Sequence, residues 1–354
     1  MNARSDTDML DEEREHLWHA LGEGDEMRAV AVVRRALAAA GPAESAGERV
    51  LLGLVAPVQE RVGLAWAADD ITVAQEHAAT AISERCVAAV ADACVAVPPG
   101  GHLGRALVAC VDGEWHALPA RLVSEVLRLR GWRVDHLGAH VPTEHLVTYA
   151  RRTGAQAVLL SSSIPTLLPG AHNAIAACRS IGVPVLAGGA AFGPGGRYAR
   201  SMRAEWAEDA SGVADLLGRD RTGVRAQAAG PPEMDLPHLA DQEYTMVRRT
   251  GPRLIERTLA DVERGFPETR RYSEYQRERT VEDIEHIVNH LATAVYVDDA
   301  RLFTDFILWT AGVLAARDVP PRCLFPALDS LLDQLKDFPR TVAALTAAHD
   351  RLTP

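Results

Sequence analysis

Cysteine is scarce in this 354-residue chain and never clustered. The five residues Cys86, Cys94, Cys110, Cys178 and Cys323 are an odd number, widely spaced, with no C-x-x-C pair. That pattern excludes a disulfide framework and a structural zinc site. Long apolar runs are also lacking. No uninterrupted one reaches membrane-spanning length, and the charged Met1 to Glu15 stretch has no apolar centre of the kind a secretory leader needs. The expectation is a soluble cytoplasmic protein with no membrane association. Several catalytic signatures are missing as well: no G-x-G-x-x-G opens a βα unit, and there is no G-x-S-x-G elbow or H-E-x-x-H helix. Basic charge is in deficit, with 37 Lys and Arg against 48 Asp and Glu, a net of −11. That balance argues against a nucleic-acid binder, which needs a basic surface.

What is present reads as globular: 47% apolar and 24% charged residues, over a length that suggests two or three domains. The segment 11–97 is helical by pattern. Leu17, Ala20, Met27, Val30, Ala31 and Leu37 recur at helical spacing until Gly41-Pro42. A further helix follows over Ala46 to Trp66. Asp69-Asp70 breaks it, and Thr72 caps a long Ala-rich helix from Val73 to about Ala96. Four helices in this span predict a small bundle. After Pro98-Pro99-Gly100-Gly101 the period changes. Short apolar strands at Ala106–Val111, Arg133–Leu137, Ala157–Leu160 and Pro184–Ala187 alternate with helices over Ala120–Arg130, Thr143–Thr153 and Ala171–Ile181. Such alternation predicts a parallel sheet covered on both faces, over 102–218, with ligands beyond the carboxyl ends of its strands. A Gly-, Pro- and Ala-rich linker, 219–240, leads to an all-helical domain, 241–354. Its helices are expected near Thr245–Arg264, Val281–Val297, Ala300–Ala316 and Pro326–Ala348.

Three loops fall at the carboxyl end of the expected sheet. In the first, Glu114-Trp115-His116 offers an imidazole beside a carboxylate: one ring nitrogen can take a metal while the other is held. A surface histidine fits the spacing equally well. In the second, Ser161, Ser162 and Ser163 can donate hydroxyls to a ligand or simply form a loop. In the third, Gly188-Gly189 permits close approach of a ligand or makes a tight turn. Trp66, followed nine intervening residues later by Glu76-His77, is a further constellation. An acid and an imidazole inside an apolar helix cost free energy to bury without partners, so they mark either a satisfied hydrogen bond or a pocket.

On these residues, Glu13 to Leu217 resembles the methionine-synthase-type cobalamin-binding module, a helical cap followed by a flavodoxin-like domain. Glu114-Trp115-His116 matches that family's acidic-x-His signature. The resemblance implies that His116 is the lower axial ligand of cobalt, displacing dimethylbenzimidazole. It also implies that Ser161 to Ser163 stand at the Ser-x-Leu signature and that Gly188-Gly189 let the nucleotide tail pass between sheet and helix. Two departures are visible: Pro119 stands where the family usually has glycine, and Ser163 where it has leucine. Trp66 with Glu76-His77 matches the signature of light-sensing adenosylcobalamin proteins, whose tryptophan and acid pack near the adenosyl group. Those regulators usually carry an N-terminal helix-turn-helix; this chain begins with the cap, so no direct DNA binding is expected.

The three-part architecture resembles the photocobilins, photoreceptors that pair cobalamin with biliverdin. The resemblance implies a globin-like, bilin-binding C-terminal domain. A linear tetrapyrrole needs an apolar slot, cations for two propionates and a polar group facing its pyrrole nitrogens. Arg248, Arg249 and Arg253 are the candidate cations. Tyr244, Tyr272, Tyr275, His286 and His290 are further candidates, and Cys323 is a possible but unassigned thioether site. The expected function is a light sensor, not an enzyme, using adenosylcobalamin and biliverdin. It would assemble as a homo-oligomer in a light-dependent way and act on a downstream signalling protein. The rival readings are a corrinoid methyl carrier of a methyltransferase system and a light-insensitive cobalamin-binding regulator.

Overall fold

A computed structural model describes residues 3–41, 43–94, 101–219 and 236–353. Most of the expected linker, and the Pro98–Gly100 part of the first boundary, lie outside the described residues. The chain forms two compact units, Met1–Pro232 and Glu233–Pro354.

The first unit opens with helices α1 (Ala3–Gly22) and α2 (Glu26–Ala39). The sequence pattern runs unbroken to Gly41, but the chain turns at Gly24, whose φ of +68° few other residues adopt, and restarts at Asp25, whose carboxylate accepts from the Arg28 N–H. Ala29, Val32, Val33 and Ala36 form the buried face of α2, so Met27, counted in the apolar spacing, projects into solvent at 77% exposure. The buried Glu13 carboxylate ties α1 to α2 by accepting from Arg35 Nε (2.6 Å) and Nη2 (2.5 Å).

One continuous rod follows: α3 (Ala43–Val50), a π-helical turn (Leu51–Val55) and α4 (Ala56–Ala67). The stretch Ser45–Ala67 is long and apolar enough to cross a membrane. Here Leu51, Leu54, Val55, Val58 and Val62 instead form the centre of the cap. Helix α5 (Val73–Cys94) completes the bundle.

The second part of this unit is a five-stranded parallel sheet in the order β2-β1-β3-β4-β5. Its elements are β1 (Arg105–Cys110), α6 (Ala117–Leu129), β2 (Arg133–Gly138), α7 (Thr143–Thr153), β3 (Ala157–Ser161), α8 (Leu168–Ser180), β4 (Val185–Gly188), α9 (Arg197–Ser201), β5 (Glu205–Trp206) and α10 (Ala210–Arg219). Two-residue β5 carries too little pattern to be seen in sequence. Helix α6 begins three residues before the expected Ala120, which puts Pro119 in its first turn. There a missing N–H has no intrahelical partner to lose, so proline is tolerated.

Helix α6 joins the cap to the sheet. Ala106, Val108 and Cys110 of β1 share one apolar core with Val126 and Leu127 of α6, Val213 and Leu217 of α10, and the cap residues Val50, Leu51 and Val87. Buried Ser124 donates to the Ala120 carbonyl, so its oxygen accepts from His136 Nδ1 on β2 (2.9 Å). Burial lowers the His136 pKa to about 4, which keeps that ring neutral. At the far end, Arg130, the C-cap residue of α6, donates from Nε and Nη2 to both oxygens of Glu48 on α3 (2.7 and 2.8 Å). From Nη1 it reaches Asp215 of α10 (3.2 Å).

The second unit is all helical among the described residues. It contains α11 (Glu243–Gly265), α12 (Glu274–Val297), α13 (Ala300–Ala316), α14 (Phe325–Gln334) and α15 (Pro339–Leu352). The single helix expected over Pro326–Ala348 is two helices. Pro339 sets the break, because Phe338 before it is extended (φ −114°, ψ 93°) and the ring itself suits a first helical position. Helix α12 starts earlier than Val281, at a capping box formed by Ser273 and Gln276. Buried Glu243 caps α15 by accepting from the Arg340 and Thr341 N–H groups (3.1 and 2.9 Å).

The donors of Arg130 hold the Glu48 carboxyl below the usual carboxylate range, against the opposing effect of burial. A depressed folded pKa contributes stability that is present at neutral pH and lost as pH falls through the carboxylate range. Arg130 is 40% exposed, so screening limits the clamp to about 1 kcal/mol. In R130A the melting midpoint of this unit should fall roughly 2–4 °C at pH 7, and the loss should shrink toward pH 3. An equal loss at both values would show that the ion pair is not its cause.

Candidate functional site

The loops after β1, β3 and β4 meet at the carboxyl end of the sheet. Backbone hydrogen bonds lace them together: Val111 N–H donates to Ser161 O, Ser162 N–H to Gly188 O, and Ala191 N–H to Ser162 O. Within this lattice Glu114 is completely buried. Its Oε2 accepts from Ser163 N–H (2.6 Å), Ile164 N–H (3.1 Å) and Ser162 Oγ (3.1 Å). Its Oε1 accepts from His116 N–H (2.9 Å) and His116 Nδ1 (2.7 Å). Burial raises the carboxyl pKa, but the His116 ring and the backbone N–H groups of His116, Ser163 and Ile164 outweigh it and bring the value to about 2.

This geometry decides which nitrogen of His116 is available. A carboxylate only accepts, so Nδ1 carries the proton and Nε2 keeps its lone pair for a metal. His116 is also the N-cap residue of α6, and its carbonyl accepts from the Cys110 thiol (3.8 Å). Burial pushes the Cys110 pKa to about 12, so the thiol stays protonated. His116 is therefore held by its neighbours while its ring stays partly exposed.

Beside it runs a cavity of about 230 Å³, walled by Pro119, Ala120 and Val123 of α6, Val213 of α10, and Ser161, Gly188 and Gly189 at the strand ends. Leu52 of the π-helical turn and Ala56 of α4 reach it from the cap. The two glycines act differently. At Gly189 φ is +101° and an added Cβ would lie 2.3 Å from Ser162 O, so only glycine fits. At Gly188 an added Cβ would meet nothing within 4 Å and would project into open space. Of the three serines singled out by sequence, Ser161 lines this cavity, whereas Ser162 is the one whose hydroxyl bonds Glu114 and Ser163 reaches it through its N–H.

The cap residues partly converge. His77 Nδ1 pairs with Glu76 Oε2 (2.6 Å), and Glu76 Oε1 accepts from Thr80 (2.9 Å). This pair is not buried in the helix, as its apolar context suggested; the His77 side chain is 59% exposed. Its ring lies 6.1 Å from that of Trp115, which stacks on His116 at 3.9 Å. Trp66 is half-buried at the end of α4.

In the second unit the three candidate arginines do not face one slot. Arg248 bonds Asn289 (2.8 Å), Arg249 is exposed, and Arg253 lines a separate cavity of about 560 Å³. Arg257, one turn beyond Arg253 and not singled out by sequence, lines it too. His290 does not pair its ring with that of His286. It is buried, stacks on Phe306 (3.5 Å, 4°) and donates from Nδ1 to the His286 carbonyl (2.8 Å). Burial pushes the Cys323 thiol up to about 11.

A fixed imidazole with a free Nε2, open space at Gly188 and an apolar cavity under a helical cap fit cobalamin. Family models agree. Residues 13–91 match one described as a B12 binding domain, and residues 104–215 match another of the same description. The chain is 30% identical over 205 residues to the HTH-type transcriptional repressor CarA of Myxococcus xanthus, covering 53% of this chain and 64% of the repressor. It is 32% identical over 84 residues to dimethylamine corrinoid protein 1 of Methanosarcina acetivorans, covering 23% and 39%. It thus spans less than two thirds of either relative. The structure of the Methanosarcina barkeri monomethylamine corrinoid protein aligns with 57% of this chain and 94% of its own, at 21% identity and a TM-score of 0.49.

If Glu114 sets the tautomer of His116, Glu114→Gln should weaken cobalamin binding by roughly 10- to 100-fold. A carboxamide must turn a donor toward one of the N–H groups that now converge there. Calorimetric titration with hydroxocobalamin measures this, and parent affinity in the variant would show that the carboxylate is dispensable. Residues 13–91 and 104–215 are B12-binding domains, and the chain is a cobalamin-binding protein.

Proposed function

We propose that this protein is a light sensor that holds adenosylcobalamin between His116 and the α4–α5 cap. The observation that carries the reading is the convergence of cap and foot: Glu76-His77 on α5 reaches the ring beside His116. A cap that only closed the module would not need an acid–imidazole pair at that point. Adenosylcobalamin supplies a cobalt–carbon bond that visible light breaks. The protein's part is mechanical. Trp66 packs against the upper group in the dark. When that packing is lost, α4 and α5 re-seat over α6 and change the surface offered to a second copy of the chain. The output is a light-dependent change in homo-oligomeric state read by a signalling partner, without catalysis.

Biliverdin is proposed as a second chromophore of the C-terminal unit. Support comes from the 560 Å³ cavity, where Arg253 and Arg257 stand beside Leu254, Leu335 and Phe338. Two guanidiniums next to an apolar wall, that of Arg257 also paired with Asp333 (2.5 Å), suit a flat pigment with two propionates. The second reading, a corrinoid methyl carrier, is favoured by the similarity to dimethylamine corrinoid protein 1. It gives no role to Trp66, Glu76 and His77.

Absorbance spectra and size-exclusion profiles of protein loaded with each chromophore, before and after illumination, separate these readings. The adenosyl form should change both its spectrum and its elution on illumination, and W66A should release adenosylcobalamin faster than hydroxocobalamin. Biliverdin should give a sharpened long-wavelength band that R253E/R257E loses. An elution volume indifferent to light, with W66A affecting both cobalamins equally, would favour the carrier. Uptake of haem without biliverdin would remove the second chromophore.

A further inference from the structure

Trp115 is 52% exposed, and its indole makes two ring contacts. It stacks on His116, with centroids 3.9 Å apart and planes 28° from parallel. It also meets His77 at 6.1 Å and 43°. The proposed function sets these two imidazoles on opposite faces of the corrin, and the inference rests on that reading. The indole therefore touches both of the groups that a bound corrin must separate. Indole and corrin cannot fill the same space, since carbon atoms in contact stay about 3.5–4.0 Å apart.

We propose that Trp115 is a displaceable plug, whose indole bridges cap and lower ligand until the corrin parts them and turns it outward. The local structure allows the exchange without disturbing the metal ligand. Glu114 pins both the backbone N–H and Nδ1 of His116, so the ligand stays put while its neighbour's side chain rotates. Half of the indole already faces solvent, so turning outward exposes little further apolar area. Gly113, at φ +87°, and the helical start at Ala117 fix the backbone on either side, which confines the change to the Trp115 side chain. Trp115 is thus a gating residue for cofactor entry rather than a ligand.

The test uses the full chain in the dark with hydroxocobalamin, so a missing photoresponse would leave it intact. Stopped-flow binding to W115A should show an association rate raised about tenfold, with W115F between it and the parent and with a smaller change in dissociation. A thermal melt confirms that the variants are folded, and W115F keeps a ring should W115A lose stability. Unchanged association with faster dissociation would overturn the proposal, because it would make the indole a contact of the bound cofactor. As a second readout, the 5-fluorotryptophan resonance absent from W115F should gain a larger solvent isotope shift on cobalamin binding. A shift that stays the same or shrinks would also overturn it.

Discussion

The buried carboxylate of Glu114 is the interaction on which the candidate site depends. It accepts five hydrogen bonds, from His116 twice and from Ser162, Ser163 and Ile164. An ionised group with no solvent exposure is costly unless it is fully satisfied, and here every donor comes from one of two loops. The same oxygens therefore close the β3 loop against the β1 loop and select the His116 tautomer. Removing the charge would leave several buried N–H groups without an acceptor, so fold and ligand geometry fail together.

Helix α6 extends that constraint across the first unit. His116 is its N-cap and Arg130 its C-cap, with Glu48 of the cap bound at the Arg130 end. Between them, one side of the helix walls the cavity through Pro119, Ala120 and Val123, and Val126 and Leu127 join the core shared with the cap. The π-helical turn Leu51–Val55 stands just beyond Glu48 and contributes Leu52 to the same cavity. Such turns recur at functional sites because they shift the register of a helix face. His116 and the cap are thus mounted on one rigid element.

Much of this was legible in the sequence. Four of the five strands are apolar runs of buried-sheet length bounded by turn signals, and β5 escaped because two residues hold no period. Glu114, His116 and Gly188-Gly189 stood out by residue type at strand ends. The three serines stood out together, and only the loop path decides that the Ser162 hydroxyl turns inward. The cap pair Glu76-His77 is hydrogen-bonded, one of the two alternatives that its residue types allow, on a face that Ala-rich neighbours do not make a core face. In the C-terminal unit, Arg248 and Arg249 were grouped with Arg253 by nearness in sequence. Helical spacing instead sets Arg253 with Arg257, four residues on. Pro339 was a visible break inside an expected helix and should have ended it.

Electron paramagnetic resonance of the cob(II)alamin-loaded protein, prepared with ¹⁵N-labelled and unlabelled histidine, tests the lower ligation most directly. With His116 Nε2 on cobalt, the axial superhyperfine splitting changes from triplets to doublets on labelling, and H116A abolishes that sensitivity. A splitting indifferent to the histidine label, or one that keeps its label sensitivity in H116A, would contradict it.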